Sequence, residues 1–187
     1  EMYKLCKAEG VKPIIGVEAY IANRTRFDRD PGIDSSRFHL TLLAKNRAGY
    51  KNLMRMVSAS HLEGYYYKPR MDKDLLKQYA EGVICLSGCP ASEFIQDLKE
   101  GRMQEARDLI AYYIEIFGKE NVFIELMRHP EVDWYPALFP HIKKIADEFG
   151  LLVVGTWDSH YLHFDDKVAH DTLLAINTNN QNFKLDG

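Results

Sequence analysis

Short apolar, β-branched segments alternate with amphipathic helical segments along this chain, and this alternation limits the possible folds more than any other feature. The segments with the length and composition of strands are 13–21, 38–44, 83–86, 122–127 and 151–157. Most of them are separated by segments with the 3.6-residue period of a helix. The repetition predicts an α/β fold with a mainly parallel sheet, either open or closed into a barrel. The aromatic and basic segment 64–71 is predicted to be a loop.

The composition is that of an ordinary globular domain. Of the 187 residues, 46% are hydrophobic and 27% are charged, which excludes a disordered chain or a fibrous repeat. The formal net charge of -3 gives no indication of a free-standing nucleic-acid-binding protein. No apolar run approaches the roughly 20 residues that a membrane span needs. The three cysteines are too few and odd in number for a disulfide framework, so we expect a reducing, cytoplasmic location.

Basic residues are concentrated in the first half of the chain. Residues 24–77 contain twelve Lys and Arg but only six Asp and Glu, and tyrosines are interleaved with them. Such a pattern is compatible with contacts to phosphates or to a nucleic acid. The alternative, which a pattern of this kind favours, is a solvated surface with tyrosines packed beneath it.

Residues that can bind metals lie near the ends of the predicted strands. Glu18 comes late in the first strand, His39 begins the second and Cys89 follows the third, while Asp158 and His160 follow the fifth. In parallel α/β folds, functional residues lie at the carboxyl ends of the strands. A mixture of carboxylate, imidazole and thiolate ligands suits Zn²⁺ or a related divalent ion.

Each of these residues also has an interpretation without a metal. Asp158 and His160 point the same way in an extended chain, which favours a shared ligand. Glu18 lies within an apolar strand and needs a partner there, either a metal or a basic side chain. A lone cysteine such as Cys89 is more often a small buried residue, and a lone His39 is more often hydrogen-bonded within a core. Spacing alone therefore indicates a metal site but no particular reaction.

Several motifs taken together resemble one known family. They are KPIIGVE at 12–18, HLTLLAKNRAGYKNL at 39–53, YYKPR at 66–70, LSGC at 86–89, FIELMRH at 123–129, DSHYL at 158–162 and HDTLLAI at 170–176. The combination resembles the PHP (polymerase and histidinol phosphatase) domain, in the branch found at the amino end of bacterial replicative DNA polymerase III alpha subunits. The likeness runs along essentially the whole chain, so residues 1–187 are predicted to be one PHP domain. We expect its first strand and an upstream H-x-H, Asp and His to be missing.

The resemblance implies a distorted parallel β/α barrel of the PHP type with divalent metal ions, Zn²⁺ or Mn²⁺, at its mouth. The metal ligands that it implies are Glu18, His39, Cys89, Asp158 and His160, of which the last two would also be catalytic. The implied activity is a metal-dependent phosphoesterase or 3′→5′ proofreading exonuclease. This activity would belong to a DNA-directed DNA polymerase for DNA replication that uses Mg²⁺ in a later domain. The implied partners are DNA, a sliding clamp and a proofreading subunit.

Two other functions stay open on the sequence. The domain is alternatively an inactive scaffold that stabilises the polymerase and docks a separate proofreading subunit. A small-molecule phosphatase is a third interpretation, which the polymerase-like motifs disfavour. Lys68 and Arg70, in the basic loop, are candidates to steer the DNA backbone.

Overall fold

Helices and strands alternate along the chain, and the computed structural model describes residues 1–129 and 131–178. The elements are α1 Met2–Ala8, β1 Gly16–Ala22, β2 Arg37–Ala44, α2 Arg47–Leu62, β3 Tyr65–Tyr66, β4 Lys68–Met71, α3 Lys73–Gln78, β5 Val83–Leu86, α4 Glu93–Lys99, α5 Met103–Phe117, β6 Val122–Met127, α6 Phe139–Phe149, β7 Val153–Thr156 and α7 Lys167–Thr178. The chain divides into two compact units, Glu1–Gly155 and a second that begins at Thr156. Within the described ranges, none of the helices combines the length and hydropathy that a membrane span requires.

The strands form one sheet in the order β3-β4-β1-β2-β5-β6-β7. β1 is parallel to β4 and β5 is parallel to β6, so these four strands run in one direction. β2 runs antiparallel to both of its neighbours, β1 and β5. Its direction follows from the connection before it, because residues 23–36 contain no helix and a parallel crossover normally needs one. The predicted α/β class is confirmed, with β2 as the main departure from a parallel sheet.

The antiparallel pair formed by β1 and β2 has one apolar face and one polar face. Side chains alternate between the two faces of a strand, and the register pairs Tyr20 with His39 and Glu18 with Thr41. These residues share the face that carries the polar side chains. The opposite face packs into the core, and its residues are Ala19, Ile21, Leu40 and Leu42. The core thus fixes the two strands that present Glu18 and His39.

The helix ends follow local sequence signals. The Asn46 side chain accepts a hydrogen bond from the Gly49 backbone N–H and so caps α2. Asp72 caps α3 in the same way through the Leu75 N–H. Gly150 ends α6 in the left-handed conformation, with φ of 60°, which glycine adopts without strain.

The prediction of a loop over residues 64–71 is wrong, because this segment forms the hairpin of β3 and β4. Tyr66 pairs with Lys68, and Tyr67 between them takes a left-handed φ of 59°. β4 also pairs with β1, where Arg70 lies opposite Tyr20. This pairing between distant segments stabilises strands despite the turn-like local composition. A pattern of neighbouring residues cannot predict such a pairing.

Charged side chains fasten the connection between β1 and β2. The Arg24 Nε donates to Asp34 Oδ1 at 3.1 Å, and the buried Asp34 also accepts from the Asp30 backbone N–H at 2.8 Å. The hydrogen bond from Arg24 lowers the pKa of Asp34 from its ordinary value. Asp34 therefore stabilises the folded connection in its ionised form.

We expect the contribution of Asp34 to stability to be lost in acid. Its pKa is lower in the folded chain, so the contribution is complete above the unfolded pKa of about 3.9 and disappears as the pH falls through the folded pKa. The difference in Tm between the unmodified chain and Asp34→Asn should be largest near neutral pH and should shrink at low pH. Thermal melts followed by circular dichroism at a series of pH values measure this, with the exposed Asp165→Asn as control. A Tm difference that does not change with pH would contradict the assignment.

Candidate metal centre

Three side chains that are distant in the sequence meet at one end of the sheet. The His39 Nδ1 lies 2.7 Å from Glu18 Oε1 and 3.4 Å from Cys89 Sγ. The Cys89 Sγ lies 4.0 Å from the same carboxylate oxygen. One ligand atom from each residue thus falls within 4.8 Å of the other two. We call Glu18, His39 and Cys89 the triad.

The antiparallel direction of β2 explains how these residues converge. His39 is near the amino end of β2, and that end lies beside the carboxyl ends of β1 and β5. Cys89 follows β5 in a turn in which Gly88 has a φ of 92°. A Cβ at Gly88 would lie 2.9 Å from the His39 carbonyl oxygen, so the turn packs closely against β2. The His39 backbone N–H donates to Ala91 at 3.1 Å and holds the turn there.

The triad is accessible from solvent. The side chains of Glu18 and His39 are 51% and 28% exposed, because both lie on the face of the sheet that does not enter the core. Hydrogen bonding to Cys89 and then to Glu18 raises the pKa of His39 from 6.5 to about 9. The sequence predicted that Glu18, within an apolar strand, needs either a metal or a basic side chain as a partner. The imidazole of His39 is such a partner.

The donor atoms fit a divalent metal ion. Carboxylate oxygen, imidazole nitrogen and thiolate sulfur are common zinc ligands, and around one tetrahedral ion such atoms lie about 3.3 to 3.6 Å apart. The separation of 3.4 Å between Cys89 Sγ and His39 Nδ1 agrees with this range. The two distances to Glu18, 2.7 and 4.0 Å, lie on either side of it. Rotation of the half-exposed Glu18 carboxylate can adjust both.

Asp158 and His160 belong to the second unit, which we describe by itself. Both side chains are exposed, and the His160 Nδ1 lies 3.7 Å from Asp158 Oδ1. The His160 ring also contacts the ring of His170 on α7, with centroids 5.3 Å apart. The pairing of Asp158 with His160 is thus present, while their membership of one site with the triad stays a prediction.

Arg70 does not lie on the surface, where the sequence predicted it as a contact to the DNA backbone. Its side chain is fully buried, and its guanidinium donates to the backbone carbonyls of Gly64, Asp34, Arg26 and Asp28 at 2.9 to 3.2 Å. A guanidinium enclosed in this way braces the chain and presents no surface to DNA. Lys68, two residues earlier on β4, is exposed and stays a candidate for contact with a phosphate backbone.

Two neighbours of the triad were missed in the sequence. The Tyr20 ring meets the His39 ring edge-on with centroids 5.2 Å apart, and the Arg37 guanidinium lies 5.1 Å from the Tyr20 centroid. The two-residue period of a strand was the available signal, because Tyr20 follows Glu18 by two positions and Arg37 precedes His39 by two.

The fold and the triad define a class of α/β domain in which strand ends bring metal-capable side chains together. The PHP domain family matches residues 1–129, and the chain belongs to that family. The resemblance stated from the motifs is confirmed.

Named relatives extend the similarity to nearly the whole chain. The chain is 45% identical over 176 residues to the DNA polymerase III subunit alpha of Treponema pallidum, and 44% identical over 180 residues to that of Thermus aquaticus. In both comparisons 94% of this chain is covered. The corresponding protein of Saccharopolyspora erythraea is 37% identical over 212 residues and covers all of it. The chain spans only 15%, 14% and 18% of the lengths of these three relatives.

Proposed function

We propose that this chain is the PHP domain of a DNA polymerase III alpha subunit and that it binds divalent metal ions to hydrolyse phosphoesters. The observation that carries the proposal is the convergence of Glu18, His39 and Cys89 within 4.8 Å in a member of the PHP family. We include Asp158 and His160 as further ligands and as the catalytic pair. The likeness of the DSHYL motif at 158–162 to the family supports this assignment, and the contact between the two side chains in the second unit is consistent with it.

Each residue of the triad would contribute one ligand atom to a bound ion. Glu18 and a deprotonated Cys89 would each contribute a negative charge, and His39 would contribute a neutral nitrogen. The partial exposure of Glu18 leaves the solvent side of the triad open to a phosphoester. A bound Zn²⁺ or Mn²⁺ would supply a Lewis acid that activates water and offsets charge developing on the phosphate.

The names of the relatives suggest the substrate. They are DNA polymerase III alpha subunits, so we propose a 3′→5′ exonuclease acting on DNA. Polymerisation, with Mg²⁺, is proposed for the longer protein, because this chain spans a small part of its relatives. DNA, a sliding clamp and a proofreading subunit are proposed as partners, with a cytoplasmic location, because the motifs resemble those of replicative polymerase alpha subunits.

Metal-dependent removal of nucleotides tests the function. The polypeptide that carries this sequence is stripped with a chelator and incubated with a 3′-labelled single-stranded oligonucleotide, with and without Mn²⁺ or Zn²⁺. We expect release of the 3′ nucleotide only with the metal, and loss of that release in His39→Asn. The parallel control is His141→Asn, an exposed histidine of α6. Metal binding without hydrolysis in the unmodified protein would contradict the exonuclease and support the scaffold alternative.

A further inference from the structure

The guanidinium of Arg37 has more hydrogen-bonding capacity than the chain uses. Its Nη1 donates to the Ser35 carbonyl at 3.0 Å, and this is its one hydrogen bond to the described residues. An arginine has five N–H donors. The Nε is buried and has no partner in the described part of the chain, which is a costly state for a polar group.

Arg37 also lacks a counter-charge. Within residues 1–129 and 131–178 it forms no ion pair. Two arginines of the preceding connection are paired, since Arg24 binds Asp34 and Arg26 binds Glu63 and Asp72. Unlike those two, Arg37 has a positive charge with no ion-pair partner among the described residues.

The position of this charge is fixed beside the triad. Arg37 and His39 lie on the same face of β2, and both contact the ring of Tyr20 on β1. The Arg37 guanidinium lies 5.1 Å from the Tyr20 centroid, within the range of a cation–π contact, and its planar fork of donors matches the oxygens of a phosphate. The positive charge of Arg37 and the imidazole of His39 therefore contact the same aromatic ring.

We propose that Arg37, held by Tyr20, is a phosphate-binding residue that positions a substrate next to the triad. The ligand is a phosphate oxyanion, with a phosphodiester of single-stranded DNA as the source that the relatives favour. This inference rests on the proposed function, because it gives the metal site a second contact to the same substrate. Arg37 acts as a positioning residue, and its removal should leave the metal ligands in place.

Binding of an oligonucleotide without turnover tests this role. The binding of labelled (dT)₁₂ to the polypeptide that carries this sequence is measured by fluorescence anisotropy. The unmodified protein and Arg37→Gln are compared in a buffer that contains a metal chelator. Loss of one charge-assisted contact should weaken binding about tenfold. The slope of log affinity against log salt should fall by about 0.7. Arg47→Gln replaces an exposed arginine at the start of α2, beyond the carboxyl end of β2, and should change binding much less.

Two further measurements separate this inference from the proposed function. Calorimetric titration with Mn²⁺ should give the same affinity for Arg37→Gln as for the unmodified protein. The anisotropy measurement needs no metal, so it tests phosphate binding by Arg37 even if the calorimetric titration shows that the protein binds no metal. Titration with inorganic phosphate distinguishes the source, because phosphate bound as tightly as (dT)₁₂ would indicate a small phosphate ester.

The role of Tyr20 provides an internal check. Tyr20→Phe keeps the ring and should retain binding of (dT)₁₂, whereas Tyr20→Leu should weaken it as Arg37→Gln does. If Arg37→Gln weakens neither (dT)₁₂ nor inorganic phosphate more than Arg47→Gln does, the inference is overturned.

Discussion

Replacing Glu18 with Gln should weaken the binding of Zn²⁺ or Mn²⁺ by about a hundredfold or more. Substitution of residues that only hydrogen-bond to the ligands already lowers metal affinity by about 10- to 100-fold, so loss of a direct ligand should cost at least as much. The substitution keeps the shape of the side chain and removes its charge and most of its affinity for metals. Glu18 is half exposed, so the fold should be retained. Calorimetric titration after chelation measures the affinity, and circular dichroism checks the fold.

The chain offers a matched control for this experiment. Glu131 lies 2.9 Å from His129, in the same carboxylate–imidazole arrangement as Glu18 and His39. No cysteine joins that pair in a metal-capable group of the described residues. Glu131→Gln should therefore bind metal as the unmodified chain does. Equal losses in Glu18→Gln and Glu131→Gln, or no loss in either, would refute the triad as a metal site.

The same titration decides whether the second unit contributes ligands. Asp158→Asn should reduce metal affinity or stoichiometry with little change in the fold, because the Asp158 side chain is exposed. Unchanged affinity and stoichiometry in this variant would remove Asp158 from the ligand set while leaving the triad intact.

Replacing Arg70 with Met should lower the free energy of unfolding by about 3 kcal/mol or more, because two buried and two partly buried carbonyls lose their donor. The carbonyls of Arg26, Asp28 and Asp34 belong to the connection between β1 and β2, and Gly64 precedes β3. One side chain thus fastens two segments of the fold. Urea denaturation measures the change.

Lys68→Met is the control for Arg70→Met, since it removes an exposed charge from the same strand. Its effect on stability should stay within about 0.5 kcal/mol. If Arg70→Met fails to accumulate as folded protein, Arg70→Lys, which keeps the charge but loses the planar fork, provides an intermediate value. Equal stabilities of Arg70→Met and Lys68→Met would contradict the bracing role.

Local patterns were sufficient for most of the elements. β5 and β6 have the bounds that the sequence predicted, because each is a short apolar run bounded by polar residues or glycine. The β3–β4 hairpin was missed because its stability comes from pairing with β1, which is distant in the sequence. The direction of β2 was not predicted either, although the helix-free connection before it was visible.

The triad could be predicted as residue types but not as a geometry. Glu18, His39 and Cys89 were candidates because each lies near a strand end. Functional residues were expected at the carboxyl ends of parallel strands. His39, near the amino end of β2, lies beside the carboxyl ends of β1 and β5 only because β2 runs in the opposite direction. The buried Arg70 binds the carbonyls of Arg26, Asp28 and Asp34, which are distant in the sequence, so its position in a basic segment was misleading.

The two faces of β1 and β2 link the folding of the chain to its ability to bind a metal. A shift of one residue in β2 against β1 would turn Leu40 outward and move His39 into the interior, while Glu18 and Ile21 on β1 kept their faces. A misaligned hairpin would thus forfeit the core and the ligands together. Capture of a metal ion by this chain would accordingly serve as a chemical reporter of correct strand alignment.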